Sequence, residues 1–407
     1  MISAVVGLQY GDEGKGRFTD YLMDKHDTVI RFNGGANAGH TIEFNGNKYI
    51  VHLMPSGIFS NKWCLIANDC VLDPIGFKEE IDYIKSKGFS VEKLKIGSSV
   101  TIVCPFHKEV DVFWEENSPL HLGTTKRGIG HAYADRSRRI SLRMEDVFLT
   151  YEQIYEKYFN CYNMNLDFLN SEYKMGDKST NDFLNFFNAF MELKQYVCNV
   201  TDFMVEHKND NILFEGAQST QLDIMWGEYP FVTSSSCLAQ NALVSTGFRK
   251  NIDNVYGVAK VYTTRVGTGP FISKMDNETD DLIRNIGGEF GATTGRKRIC
   301  GWLDLVALKR SCILNGVTDL CLVKTDVFNG FEKIKVCIGY EQNGKIINRT
   351  PYTCEYENLK PTYIEFDGWK DEKDKNLESF VNYIEQFTDT HVKFVSYGAD
   401  RYKLIER

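Results

Sequence analysis

Short apolar runs rich in β-branched residues recur along this chain at 2–7, 28–32, 63–67, 94–103, 212–215, 255–262, 320–323, 336–339 and 392–396. Several are continuous rather than alternating between apolar and polar. A continuous run suits a strand covered on both faces, as in a parallel sheet flanked by helices. Helical patterns lie between them, at 78–87, 151–158, 181–197 and 302–314. In the last, Leu303, Val306 and Leu314 share a face, and Asn315-Gly316 offers a C-terminal stop. A polar, Asn-rich stretch at 160–180 reads as the most variable or mobile segment. Beyond 331 charge rises and hairpin signals appear, such as Gln342-Asn343-Gly344. The pattern predicts an α/β fold: one domain over 1–407 with a large, mostly parallel central sheet flanked by helices. Within it, a helical subregion is expected near 145–205 and an α+β subregion near 331–407.

Composition narrows the function classes. The 407 residues carry a formal net charge of −8 and no long basic block. That disfavours a nucleic-acid partner. The eleven cysteines are scattered with no C-x-x-C pair, which predicts free thiols in a reducing compartment. Only about seven apolar residues precede Gln9, too few for a signal peptide, and no later run reaches the ~18 of a membrane span. The expectation is a soluble cytoplasmic protein with no membrane partner.

The chemistry concentrates in glycine-rich loops after the predicted strands. "GLQYGDEGKGR" (7–17) follows the first strand and precedes a helical pattern at 17–25. Gly11, Gly14 and Gly16 would let backbone N–H groups approach phosphate oxygens beside Lys15. The loop is not the standard phosphate-loop motif: six residues separate Gly7 from Gly14, and Gly16 replaces the magnesium-binding hydroxyl. Asp12 could supply a magnesium ligand instead. Taken alone, the loop reads equally well as a Gly-rich turn in which Asp12 and Glu13 open a helix.

"RFNGGANAGHTI" (31–42) adds Asn33, Gly39, His40 and Thr41. A lone histidine is more often structural, but one between Gly and Thr in a Gly/Asn loop is poorly explained by packing. "GTTKRG" (123–128), "YTTRVGTG" (262–269) and "GATTGRKR" (291–298) each pair two threonines with an arginine and glycines. Hydroxyls, backbone N–H groups and a guanidinium recognise phosphates and carboxylates. Any one would pass for an ordinary loop; three predict several distinct anion sites. Gln218 in "LFEGAQSTQLD" could meet a base edge, and Thr233 follows in "YPFVTSS". Lys324 and Asp326 in "LVKTDVF" match the Lys-x-Asp by which many GTP-binding proteins read guanine.

The ordered set "QYGDEGKGR", "NGGANAGHT", "GTTKRGIG", "EGAQ", "YPFVTSS", "YTTRVGTGPF", "TTGRKRICGWLDLVAL" and "KTDV", with a fainter "VSYGADR" near the end, resembles the adenylosuccinate synthetase family. The resemblance implies a P-loop-like GTP-binding ligase fold. It also implies ligation of L-aspartate to IMP, with GTP split to GDP and phosphate through a 6-phosphoryl-IMP intermediate, one Mg²⁺ per subunit, and a cytoplasmic homodimer. By motif, it makes Asp12 the base and a metal ligand, Gly39 a second metal contact, His40 the acid, and Lys15 and Gln218 further catalytic groups. GTP falls to Gly11, Glu13, Gly14, Lys15, Gly16, Gly39, Thr41, Arg298, Lys324, Asp326, Ser396 and Gly398, with a structural helix-opening role also expected of Glu13. The purine monophosphate falls to Asp12, Asn33, Thr125, Gln218, Thr233, Val266 and Arg296, with Arg139 reaching the partner subunit's nucleotide. Aspartate falls to Thr293, Thr294, Arg296 and Arg298.

The chain departs from the family pattern at Ser219, where a Gly is usual, at His131 in place of Pro, in "ANDC" (67–70) and in "SSSCLAQNA" (234–242). Several of these fall near the expected purine pocket. Two rivals therefore stand beside IMP ligation: a related synthetase acting on another purine monophosphate such as dGMP, and a GTP-binding regulatory module without ligase activity. The second leaves the three Thr-Thr/Arg segments unexplained. Asp12 argues against the first, since the best-known phage-encoded relatives of that kind carry Ser there.

Overall fold

The computed structural model describes residues 1–44, 47–166, 177–291, 295–398, 400 and 402–407. Among them a ten-stranded sheet forms the centre. Its spatial order is Leu404–Glu406, His391–Ser396, Asp319–Val323, Asn254–Lys260, Ile2–Gly7, Ile212–Glu215, Thr28–Arg31, Trp63–Ile66, Leu94–Gly97 and Val197–Cys198. Every neighbouring pair is parallel except the edge pair of His391–Ser396 with Leu404–Glu406. The predicted α/β class and mostly parallel sheet are what the chain adopts.

The continuous apolar runs explain this sheet. All six residues of Ile2–Gly7 are buried. Ile2, Ala4 and Val6 enter one core with Ile30, Phe214 and Leu322. Val5 enters the opposite core with Phe18, Val29, Leu213, Val258 and Phe394. Alternate side chains thus leave the pleat on opposite faces, and both faces are covered.

A second sheet joins Tyr262–Arg265, Ile299–Asp304, Lys333–Gln342, Lys345–Ile347 and Lys360–Asp367. The predicted hairpin is present: Gln342 pairs with Lys345, and Asn343 (φ 53°) and Gly344 (φ 77°) form the turn. Two expected runs divide. The 255–262 run ends in the main sheet at Lys260, and Tyr262–Arg265 starts the second. The 94–103 run splits into Leu94–Gly97 and Thr101–Ile102.

The helix expected at 302–314 begins later. Ile299–Asp304 is a strand, paired with Tyr262–Arg265 and Lys333–Gln342, and the helix is Leu305–Asn315. Asp304 makes the change of direction, its Oδ1 accepting the Ala307 N–H at 3.0 Å as an N-cap. Leu303 had matched the helical period by coincidence. The stop at Gly316 holds, at φ 61°. Around the polar 160–180 stretch, helix Tyr151–Asn163 runs beyond its pattern and helix Asp177–Glu192 starts and ends earlier than its own; the centre of the stretch lies outside the described residues. The 181–197 pattern finishes as a 3-10 turn, Leu193–Tyr196, and a short strand. All eleven cysteines are free thiols. No described helix is long and apolar enough to cross a membrane.

Asp304 also sets a pH dependence. Burial raises its pKa from 3.8 to about 6, partly offset by the Ala307 N–H and the Tyr340 hydroxyl at 2.7 Å. A carboxyl whose folded pKa is raised stabilises most below its unfolded pKa, and that contribution is lost as pH rises through 6. Asp304→Asn retains a capping oxygen without the charge. We expect it to raise Tm by roughly 1–3 °C at pH 8 and to leave it unchanged near pH 4, by calorimetry.

Candidate active site

The 7–17, 31–42, 213–223 and 322–328 segments run from the C-terminal ends of parallel strands Ile2–Gly7, Thr28–Arg31, Ile212–Glu215 and Asp319–Val323, where open α/β sheets bind ligands, and the other loops singled out from sequence fold over them. They enclose a cleft of about 820 Å³. Gly11, Asp12, Gly14, Lys15, Gly16, Gly39, His40, Thr125, Gln218, Thr233, Val266, Arg296, Arg298 and Lys324 all line it. Residues from eight separate segments thus meet at one place.

The first loop is shaped by left-handed backbone at Gly11 (φ 91°), Asp12 (φ 59°) and Gly14 (φ 87°), after which helix Lys15–Leu22 begins. Asp12 is a non-glycine residue in that region, a conformation aspartate tolerates better than most. Its carboxylate faces the cleft. Gly16 leaves room for His40, whose Cβ would lie 2.9 Å from a Cβ added there. Glu13 is the correction: it lies before the helix, turns inward, is buried and does not line the cleft. Its Oε2 lies 2.7 Å from Lys15 Nζ. Burial alone would raise its pKa, but the Lys15 charge and donors from Lys15 and Ser219 bring it below the ordinary glutamate value.

His40 is anchored by a residue that motif reading missed. Its Nδ1 lies 2.6 Å from Glu215 Oε1, at the end of strand Ile212–Glu215. Ser56 donates to the same carboxylate through its N–H at 2.9 Å and its hydroxyl at 2.6 Å, and Arg31 stands 4.0 Å away. Burial opposes ionisation of Glu215, yet the His40, Arg31 and Ser56 contacts hold its pKa at about 2. A carboxylate cannot donate, so the His40 proton sits on Nδ1 and Nε2 is left for a ligand. Burial and Arg31 lower the His40 pKa against the pull of Glu215. The signal for Glu215 was present: a charged residue ending an otherwise apolar strand must find a partner.

A third buried glutamate organises the opposite wall. Glu289 meets Lys260 Nζ at 2.8 Å, Arg298 Nη1 at 2.5 Å and the Tyr262 hydroxyl at 2.5 Å. Arg298 Nη2 reaches on to Asp12 Oδ2 at 2.6 Å. Arg296 Nη1 donates to Gly123 O at 3.0 Å, closing the 295–298 segment over 122–123. Thr293 and Thr294 lie outside the described residues, and Thr41 is placed in strand His40–Phe44 by its backbone alone.

The expected purine contacts separate into two kinds. Gln218, at φ 54°, buries both Nε2 and Oε1 without a protein partner while lining the cleft. Buried amide atoms of that kind call for a ligand. Asn33 does not line the cleft: its side chain donates to Ala217 O at 3.1 Å and accepts from Ala217 N at 2.9 Å, so it holds the Gly-Ala-Gln turn. The guanine group gathers beside the cleft. Lys324 Nζ donates to Gly287 O at 2.7 Å, and Asp326 Oδ1 accepts the Gly398 N–H at 3.0 Å. Arg17, which the motif reading did not use, joins them by donating to Ser396 Oγ at 2.7 Å. Arg139 stands exposed at the end of helix Ile129–Arg138, away from this cleft. His131 lines the cleft from the same helix, and burial lowers its pKa.

His107, Asp135 and Cys161 also cluster, but Asp135 Oδ2 already accepts from His107 at 3.0 Å, Cys161 at 3.2 Å and Asn165 at 2.8 Å. These donors seat helix Ile129–Arg138 and leave no open ligand position.

The family model for adenylosuccinate synthetase matches residues 4–405. The chain belongs to that family. It is 41% identical to the adenylosuccinate synthetase of Phocaeicola vulgatus, covering 100% of this chain and 99% of that one. Identity to the Clostridium novyi enzyme is 40%, over 98% and 97%. Among solved structures, the fully ligated adenylosuccinate synthetase of Plasmodium falciparum superposes with a TM-score of 0.91 at 32% identity, covering 100% of this chain and 99% of that one. The cyanophage S-2L succinoaminodeoxyadenylate synthetase, bound to dGMP and dATP, shares the fold at TM-score 0.65 and 16% identity, over 99% and 94%.

Glu289 gives this family member a measurable dependence on acid. Burial opposes its ionisation, and Lys260, Arg298 and Lys324 hold its pKa down from 4.5 to about 2. A depressed pKa stabilises above 4.5 and is lost as pH falls through 2. Glu289→Gln leaves the buried Lys260 without its carboxylate and Arg298 with Asp12 alone, and should cost about 3 kcal/mol at pH 7 by urea unfolding, a difference that shrinks steadily below pH 4.5.

Proposed function

We infer that this chain is a GTP-dependent ligase that joins L-aspartate to IMP, giving adenylosuccinate, GDP and phosphate in purine nucleotide biosynthesis. The observation that carries the reading is the meeting of Asp12, Lys15, His40, Gln218, Arg296 and Arg298 in one cleft, on a chain that belongs throughout its length to the synthetase family. Neither a GTP-binding switch nor a bare nucleotide hydrolase has use for the Arg296 and Arg298 wall.

The residue roles follow from chemistry. O6 of the purine is a poor nucleophile until N1 loses its proton, and Asp12 is the carboxylate positioned in the cleft to take it. O6 then attacks the γ-phosphate, giving 6-phosphoryl-IMP. Lys15 and the N–H groups of Gly14 and Gly16 stabilise charge on the transferring group, and His40, held through Nδ1 by Glu215, acts as the acid once Nε2 takes up a second proton beside the phosphates. Gln218 offers its unpaired amide to the base edge, and Thr125, Thr233 and Val266 hold the monophosphate. Arg296 and Arg298, with Thr293 and Thr294, hold the aspartate carboxylates so that its amine meets C6. Lys324, Asp326, Ser396 and Gly398 surround guanine.

The donor set fits Mg²⁺: an Asp12 carboxylate oxygen and the Gly39 backbone line the same cleft, and hard oxygen ligands completed by phosphates suit that ion. When bound, it would neutralise charge on the phosphates, and Arg298 would have to yield its hold on Asp12. A cytoplasmic homodimer is the assembly we propose, with the exposed Arg139 reaching the partner's nucleotide, and one domain built on the shared sheet.

Asp12→Asn should nearly abolish turnover while GTP still binds; turnover within tenfold of the parent would remove Asp12 from the role of base. Incubation with Mg²⁺-GTP, aspartate and either IMP or dGMP tests the acceptor, with the succinyl product expected from IMP. Product from dGMP alone would replace the IMP assignment.

A further inference from the structure

The phosphate loop rests on a buried hydroxyl to which the reaction above assigns nothing. Ser219 is fully buried, on the turn that follows strand Ile212–Glu215. Its Oγ lies 2.6 Å from Glu13 Oε1 and 3.2 Å from Lys15 Nζ. A hydroxyl has one proton and two lone pairs; Gln218 O also lies 2.5 Å from this Oγ, but the ionised carboxylate is the stronger acceptor, so the hydroxyl can donate to Glu13 and accept from the ammonium together. The Lys15–Glu13 contact at 2.7 Å closes the triangle. Glu13 Oε1 also accepts the N–H groups of Gly11 at 2.9 Å and Gln9 at 3.2 Å. One oxygen of Glu13 therefore serves Ser219 and the loop backbone, and the other serves Lys15.

The space for this triangle is cut out of the sheet. A Cβ added to Gly7 would lie 1.9 Å from Ser219 Oγ, 2.6 Å from Glu13 Oε2 and 2.8 Å from Lys15 Nζ. Ser219 itself has φ −162° and ψ 167°, extended backbone open to any residue. What serine contributes here is thus its hydroxyl and not a backbone shape. The buried Cys237 sulfur accepts the Ser219 N–H from behind. Both residues belong to segments in which the chain departs from the family pattern.

We propose that Ser219 is a positioning residue that sets how tightly Glu13 holds the Lys15 ammonium, and hence how much of that charge is offered to the β- and γ-phosphates of GTP. By occupying Oε1, the hydroxyl restricts Lys15 to a single contact with Oε2. Without it, Oε1 keeps only the Gly11 and Gln9 N–H groups, and Lys15, which loses the Ser219 Oγ as an acceptor, turns its freed N–H toward Glu13 and settles closer to both oxygens. Phosphate must then compete with a closer ion pair. The effect falls on the polyphosphate end of GTP alone, because no atom of Ser219 lines the cleft.

This rests on the GTP-dependent ligase reading, and the test separates the two. GTP, GDP and GMP are titrated calorimetrically against the parent, Ser219→Ala and Ser219→Gly, and Michaelis constants are measured for GTP, IMP and aspartate. Both variants are expected to bind GTP and GDP 3–10-fold more weakly and to raise the GTP Michaelis constant to match. GMP affinity and the constants for IMP and aspartate should stay within twofold. Unchanged GTP and GDP affinity in both variants would overturn the proposal. So would a uniform loss across all ligands, or loss of the fold in both, since either would make the hydroxyl a purely structural group. Absence of ligase turnover in the parent would count against the functional reading, while the GTP, GDP and GMP titrations would still decide the role of Ser219.

Discussion

A carboxylate taken out of water costs several kcal/mol unless a cation or several donors meet it, and the cleft is built around three such groups. Glu13 holds Lys15, Glu215 holds His40, and Glu289 holds Arg298. Each glutamate is buried, and each partner lines the cleft. The reactive side chains therefore sit at fixed points because their anchors have no better place to go. Neutralising one anchor would leave a cation loose and its other donors unfilled. That explains why Glu13 and Glu215, outside the cleft, and Glu289 in its wall matter as much to its geometry as the residues that would meet ligand.

The three anchors also come from different parts of the chain. Glu215 ends a central strand, Glu13 belongs to the first loop, and Glu289 lies in the segment between helix Asn277–Gly287 and strand Ile299–Asp304. Arg298 links two of these regions by bridging Glu289 to Asp12. The group expected to receive aspartate is thereby in contact with the group expected to take the purine proton. In the structure described here, their charges satisfy one another. A ligand that draws on either charge must redistribute that pairing, so occupation of the Arg298 region and the electrostatics of Asp12 are physically linked.

Much of this was legible in the sequence. Strand Ile2–Gly7 and strand Ile212–Glu215 matched their apolar runs, because strands buried on both faces are mostly apolar, Ser3 and Glu215 being the buried polar exceptions. The Asn343-Gly344 turn was readable because both positions need left-handed backbone. The helix start after Asp304 was misread because an apolar strand runs directly into an apolar helix, and periodicity cannot mark that border. Within the site, residues that face ligand were found by loop chemistry. Their anchors Glu215, Glu289 and Lys260 were not: Glu215 stood in "EGAQ" without a role, far in sequence from His40, and Glu289 and Lys260 lie just outside the quoted motifs. Asn33 was placed on the ligand, but its amide is consumed by the backbone of Ala217; a sequence shows that an amide is present but not which neighbour takes it.

The place of the first strand in the sheet has a consequence for how the protein is made. Ile2–Gly7 pairs on one side with Ile212–Glu215 and on the other with Asn254–Lys260. Chains grow at roughly 5–20 residues per second, so this strand leaves the ribosome roughly ten seconds to a minute before its second neighbour exists. During that time an apolar segment that belongs in the middle of a sheet has bare edges on both sides. The loop attached to it, with Asp12 and Lys15, cannot take its shape until the strand is seated. Active-site assembly is therefore a late event of biosynthesis although this loop precedes both partner strands in the chain, and the waiting first strand is where a chaperone would have most to do.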